Sequence, residues 1–186
     1  MKNSMLWVLA MFAAAAFGTG AAEAAPAGKI LVAYFSHSGN TRAAAQMIHD
    51  SVGGDLHEIR AADAYPQDYN ERTDRAKKEQ TANARPALAG TLANADSYDV
   101  IFLGYPNWWG TLPMPVFTFL ETYGFSGKTI APFCTHGGGG LGRGPADIAR
   151  LSPKAAVTQG LPLNGSGAAN ASPEVAAWLR KLGYQG

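Results

Sequence analysis

The amino-acid sequence predicts an α/β fold, a doubly wound parallel sheet of five strands with helices on both faces. Strand-like and helix-like segments alternate along the chain. The strongest strand segments are continuous apolar runs, which are typical of strands covered on both faces. Alternation of this kind predicts parallel strands joined by crossover helices.

The individual elements follow from periodicity and from end signals. The predicted strands cover residues 29–35, 55–60, 99–105, 129–134 and 155–161. The predicted helices cover residues 42–52, 70–83, 115–123, 145–151 and 175–182. Ser172 and Pro173 form a helix N-terminal signature before the last helix. The segment 70–83 is so polar that we expect a solvated helix.

The N-terminal segment has the layout of a secretory signal peptide. Lys2 is followed by an apolar run at residues 5–17 and by small residues that end at Ala24 and Ala25. We therefore predict a signal peptide over residues 1–25 and one domain over residues 29–186. The alternative is an uncleaved leader that tethers the chain to the membrane, but the run is shorter than the roughly 20 residues of a spanning helix. The sequence predicts export, to the periplasm in a bacterium, with no stable membrane span after cleavage.

The charge and the cysteine content narrow the function. The formal net charge is +1, whereas a nucleic-acid binder would show a basic excess. Cys134 is the only cysteine, so no internal disulfide can form. It lies in the apolar run 130–134, which favours a small buried hydrophobe over a nucleophile.

The first loop that follows a strong strand is short and rich in donors. Its candidate binding residues are Ser36, His37, Ser38, Gly39, Asn40 and Thr41. Gly39 permits close backbone approach, and the start of the following helix offers free N–H groups that suit a phosphate. The loop contains no Lys, so neutral donors would hold the anion. The spacing alone leaves an ordinary capped turn equally open.

The second loop contains two adjacent tryptophans. Its candidate binding residues are Pro106, Asn107, Trp108, Trp109 and Gly110. Two tryptophans are costly to leave in water, so we expect one to turn inward and the other to stack on a flat ligand. The alternative is that both pack against the following helix.

The third loop carries four consecutive glycines. Its candidate binding residues are Thr135, His136, Gly137 and Gly138. Such a stretch is useful where backbone amides approach a ligand edge, although a lid or a plain linker is also consistent with it. His136 could bring a positive charge to a bound anion, but a hydrogen-bonded surface histidine is the more ordinary interpretation.

Taken together, these loops resemble the flavodoxin family. The resemblance rests on ILVAYFSHSGNT, YPNWWGTLP and PFCTHGGGGLG, and it covers residues 29 to 183. The segments AYPQDYNE (64–71) and NARP (83–86) are similar to a subgroup of flavodoxin-like proteins. The resemblance implies strand order 2-1-3-4-5 and bound FMN. It assigns the first loop to the phosphate, Asn107, Trp108 and Trp109 to the isoalloxazine, and the third loop to the pyrimidine edge.

For function, the resemblance implies electron transfer through FMN with an unidentified redox partner protein or small acceptor. One alternative is a small FMN-dependent reductase of the NAD(P)H:quinone type. Another is a flavin-free exported binding module on the same scaffold. Two features depart from the family pattern: the chain lacks the strong acidity of many flavodoxins, and it carries an export signal.

Overall fold

The computed structural model describes residues 28–184, so the predicted signal peptide lies outside the described residues. The strands are β1 (Ile30–Tyr34), β2 (Asp55–Glu58), β3 (Val100–Pro106), β4 (Thr129–His136), β5 (Ala156–Val157) and β6 (Leu161–Asn164). The helices are α1 (Asn40–Val52), α2 (Tyr69–Thr81), α3 (Met114–Tyr123), α4 (Gly144–Leu151) and α5 (Ser172–Lys181). Short 3-10 turns cover Ala95–Ser97 and Gly165–Asn170.

The strands form one parallel sheet in the order β2-β1-β3-β4-β5, with β6 also paired to β4. Alternate residues of each strand point to opposite faces and build two cores. Leu31 and Ile101 belong to the core that α3 and α4 cover, whereas Val32 and Phe102 belong to the core under α1 and α5. The predicted doubly wound architecture is therefore confirmed.

The fifth position of the sheet differs from the predicted strand over residues 155–161. β5 and β6 share this position beside β4. Val157 pairs with Ile130 and Leu161 pairs with Phe133, so the three residues between Val157 and Leu161 lie opposite only two residues of β4. This is a bulge, and its cause is Pro132 of β4. Proline has no N–H to donate, and the Pro132 carbonyl faces Gly160 on the bulged side. β6 consequently continues beyond the predicted end and carries further residues to the rim of the sheet.

The AYPQDYNE segment attaches α2 to the sheet. The ring of Tyr65 packs edge-on against Phe35, with centroids 5.8 Å apart, and its hydroxyl bonds the Glu79 carboxylate on α2. Asp68 caps the helix by accepting a hydrogen bond from the Glu71 N–H at 2.9 Å. Because Ala76 is the only residue of α2 that is buried, these polar ties hold a helix that has almost no apolar face.

The NARP segment makes a second tie after α2. The Arg85 guanidinium forms a bidentate pair with the Glu121 carboxylate on α3, at 2.5 and 2.6 Å. The same side chain donates to the Asn83 carbonyl at 2.8 Å, and the Pro86 carbonyl accepts from the Thr118 hydroxyl at 2.9 Å. These residues therefore lock the α2–β3 connection onto α3.

Cys134 is fully buried in β4, as the apolar run predicted. Burial raises the pKa of the thiol to about 12, so only about one molecule in ten thousand carries a thiolate at pH 8. We expect iodoacetamide to leave the native protein unmodified and to alkylate it fully in concentrated guanidinium chloride. Mass spectrometry measures both states, with Cys134→Ser as the unreactive control. Alkylation of the native protein at the rate of a free thiol would contradict this expectation.

Candidate functional site

A cleft of about 630 Å³ opens at the carboxyl ends of the central strands. This edge is where parallel α/β sheets bind ligands. The predicted residues that line it are Ser38, Asn40, Pro106, Asn107, Trp108, Trp109, Thr135, His136 and Gly137. The other predicted residues lie in the same loops without lining the cleft: Ser36, His37, Gly39, Thr41, Gly110 and Gly138. The three loops thus converge, as their positions after β1, β3 and β4 predicted.

The first loop leaves donors available beside the start of α1. Gly39 is the N-cap residue with φ of 93°, a left-handed conformation that favours glycine. No side chain caps this end, and no acidic residue occupies the first turn of the helix. The buried hydroxyl of Ser36 has no hydrogen-bond partner within residues 28–184. An anion at this helix start would meet free N–H groups and the positive end of the helix dipole.

Two further contacts fix the first loop in place. The Thr41 and Thr135 hydroxyls, both buried, are 2.8 Å apart and join the first loop to the third. The His37 ring donates from Nε2 to the Pro66 carbonyl at 3.1 Å. His37 therefore contacts the chain that leads into α2, rather than the open space of the cleft.

Asn107 joins the second loop to the third. Its Nδ2 group donates to the carbonyl of Gly140 at 2.8 Å, while its Oδ1 accepts from the Gly110 N–H at 2.9 Å. The Gly110 carbonyl in turn accepts from the Arg143 N–H at 2.8 Å. The glycine-rich loop is therefore pinned against the tryptophan loop, which argues against a free lid or linker.

The two tryptophans have different surroundings. Trp108 is half-buried, edge-on to Phe35 and Tyr65 with centroids 5.4 and 5.0 Å away. Trp109 is 51% exposed and lies beside α2, where its indole N–H donates to the Thr73 carbonyl at 3.0 Å. One ring thus turns inward and the other remains available at the cleft.

His136 makes a hydrogen bond within the glycine-rich loop. Its Nδ1 accepts a hydrogen bond from the Gly138 N–H at 3.0 Å. His136 therefore acts as the acceptor that shapes the glycine-rich loop, consistent with a hydrogen-bonded histidine.

Two parts of the cleft wall were not predicted from the sequence. Four residues come from α2: Tyr69, Arg72, Thr73 and Ala76. Three others lie at the end of β6: Asn164, which is its last residue, and Gly165 and Ser166, which follow it. The α2 residues repeat at the helical spacing that places them on one face, but nothing in the sequence of this polar helix marks that face as a cleft wall. The β6 residues lie at the carboxyl end of a parallel strand, as the three predicted loops do, but the predicted strand ended at residue 161 and β6 ends at Asn164.

Residues 28–184 contain no group of three or more side chains of His, Cys, Asp or Glu placed to hold a metal ion. Over the same residues, no helix has the length and apolar character needed to cross a membrane.

Comparison with known proteins agrees with this geometry. The family model described as flavodoxin matches residues 29–182. No curated protein sequence matches the chain.

Similar folds occur among solved structures. A candidate flavoprotein from Bacteroides eggerthii is 34% identical, with a TM-score of 0.71 over 84% of this chain and 99% of its own. A second candidate flavoprotein, from Bacteroides uniformis, is 33% identical, with a TM-score of 0.73 over 82% and 98% of the two chains. A flavoprotein from Lactobacillus acidophilus, solved in complex with FMN, is 23% identical, with a TM-score of 0.63 over 76% and 96%.

Proposed function

Given that the chain belongs to the flavodoxin family, we propose that it binds FMN in the cleft and transfers electrons through it. The observation that carries the proposal is the convergence of the three loops on one cleft, and among residues 28–184 no Asp or Glu lines it. A phosphate dianion would meet no carboxylate there. Bound flavin would supply the redox chemistry, and the protein would supply position and electrostatics.

The residues present fit such a cofactor. Ser38 and Asn40, which line the cleft, would hold the phosphate together with the uncapped start of α1, while Ser36, Gly39 and Thr41 shape the loop that presents them. Trp109 offers an exposed ring face to the isoalloxazine, while Asn107 and Trp108 shape the loop that presents it. The third loop would reach the polar edge of the flavin with Thr135, His136 and Gly137, which line the cleft, while the Gly138 N–H holds the loop through its bond to His136.

The second candidate function, an FMN-dependent reductase of the NAD(P)H:quinone type, is favoured by the open wall of α2. A carrier that docks another protein needs only one exposed edge of its flavin, whereas this cleft has side chains of α2 facing its open space. Oxidation of NAD(P)H in the presence of a quinone separates the two functions. Turnover in steady state supports the reductase, and its absence supports the carrier.

We also propose export as the route to the site of action. The predicted leader at residues 1–25 supports it, and FMN would then be captured outside the cytoplasm. N-terminal sequencing of the protein from its native compartment tests this, with an N-terminus near Ala24 or Ala25 expected. An N-terminus at Met1 would support the tethered alternative.

The decisive experiment is an absorption spectrum of the protein purified from its native compartment, with phosphorus analysis of the released flavin. We expect a yellow protein with one FMN per chain. The dissociation constant for FMN should be well below about 1 μM. Riboflavin, which lacks the phosphate, should bind more weakly. A colourless protein that binds FMN no better than micromolar would instead support a flavin-free binding module.

A further inference from the structure

The α2 wall of the cleft carries a charge that the proposed cofactor site does not use. Of the described residues that line the cleft, Arg72 alone carries a formal charge. Its Nη1 group donates to the Gln67 carbonyl at 3.0 Å, and no carboxylate of residues 28–184 lies within ion-pair distance. Arg75, three residues later on the same helix, forms salt bridges with both Asp63 and Glu79. Arg72 therefore presents an unneutralised guanidinium to the cleft.

Tyr69 accompanies this charge. It lies three residues earlier on α2, the residue is 68% exposed, and the Arg72 guanidinium sits 5.4 Å from the centroid of its ring. A single exposed tyrosine needs no explanation. Here, however, both side chains line the cleft. A flat aromatic surface beside a planar cation suits a ligand that is itself flat and anionic.

Arg72 and the exposed Trp109 line the same cleft, and Trp109 contacts the residue that follows Arg72. The next residue, Thr73, holds the Trp109 indole at 3.0 Å through its carbonyl. The start of α1 already offers neutral donors for a phosphate, so the guanidinium is left for a second anion. That second anion would lie within the cleft and beside the ring that we assign to the flavin.

We propose that Tyr69 and Arg72 form a subsite for a small planar aromatic electron acceptor that bears a carboxylate or sulfonate. The inference rests on the proposed function, because it needs flavin in the neighbouring part of the cleft. For a quinone, reduction to the hydroquinone takes two electrons and two protons from reduced flavin. A nicotinamide donor then returns a hydride, and solvent returns a proton, to the oxidised flavin.

The test measures binding without turnover. The oxidised FMN-loaded protein is titrated calorimetrically with a naphthoquinone sulfonate and with the same naphthoquinone lacking the sulfonate. We expect the sulfonate to bind about tenfold more tightly, as one charge-assisted hydrogen bond would give, and Arg72→Gln to remove that preference. Tyr69→Ala should weaken both quinones alike. Lys78→Gln, which removes a charge from the same helix outside the cleft lining, should keep the preference.

The FMN and riboflavin affinities of each variant provide the second measurement. If Arg72 serves the acceptor, Arg72→Gln leaves the ratio of these two affinities unchanged. A fall in that ratio would assign Arg72 to the cofactor phosphate and overturn the inference. Equal affinities of the native protein for the two quinones would overturn it as well, while leaving FMN binding intact. A native protein that fails to bind FMN would refute the proposed function, and the subsite with it.

Discussion

Trp108→Ala and Trp109→Ala are expected to fail in different ways, the first in folding and the second in flavin binding. Trp108 packs edge-on against Phe35 and Tyr65, so its truncation removes one of three mutually packed rings. We expect a loss of about 3 kcal/mol in the free energy of unfolding, the lower end for a tryptophan because the ring is only half-buried. Denaturant titration of the apoprotein measures this value.

Trp109→Ala removes the exposed ring instead. The free energy of unfolding should fall by only about 1 kcal/mol, for the lost hydrogen bond to the Thr73 carbonyl. FMN affinity should fall by about 1–2 kcal/mol, which is about five- to thirtyfold in Kd, because the flavin loses its stacking partner. Quenching of flavin fluorescence on titration measures the affinity.

Trp109→Phe is the matched control for this pair. It keeps a flat ring but lacks the indole N–H that bonds Thr73, so it separates stacking from the tie to α2. If stacking is the cause, Trp109→Phe retains most of the FMN affinity that Trp109→Ala loses. Equal and negligible losses for Trp108→Ala and Trp109→Ala would remove the stacking assignment altogether.

The architecture and the three loops could be predicted because their signals are local. The runs that became β1, β3 and β4 are buried on both faces, and a strand of that kind needs no knowledge of its neighbours to be recognised. The rule that parallel strands deliver their following loops to one edge then supplied the site. The fate of each tryptophan was left open, because Phe35 and Tyr65, which decide it, are distant in sequence.

The α2 wall was not predicted because its cause is tertiary. The helix has a polar sequence typical of a surface element, and only Ala76 on it is buried. What draws it to the cleft is a set of polar contacts, among them Trp109 with Thr73 and Tyr65 with Glu79. Hydrophobic periodicity cannot report contacts of this kind, since they bury little apolar surface.

The loop after β6 was missed for a different physical reason. Pro132 lies in β4, but its missing N–H changes the neighbouring position of the sheet, where the bulge lies between β5 and β6. The bulge restores pairing at Leu161, so the strand runs on and carries Asn164 and Ser166 to the cleft. A strand assigned from its own residues alone ends before it reaches them.

The contact between the second and third loops should be most sensitive at Gly142. Gly142 has φ of 55°, and a Cβ there would overlap the Gly110 carbonyl and lie 3.1 Å from Asn107 Nδ2. Gly142→Ala must therefore push apart the two loops, and it would disturb the bond from the Arg143 N–H to that carbonyl. We expect the overlap to lower the free energy of unfolding by about 1–3 kcal/mol, in addition to the strain of an alanine in the left-handed conformation. The FMN affinity should fall by at least about tenfold.

Gly140→Ala isolates the overlap from the backbone strain. Gly140 has φ of 56°, nearly the same as Gly142, but nothing lies within 4 Å of the position its Cβ would take. Both variants should therefore lose about 1 kcal/mol from the left-handed conformation, and only Gly142→Ala should lose flavin. Equal affinities in the two variants would mean that the tie between the loops does not matter for binding. A difference confined to FMN affinity, with matched thermal unfolding, would mean that the loops separate locally while the sheet beneath them stays intact.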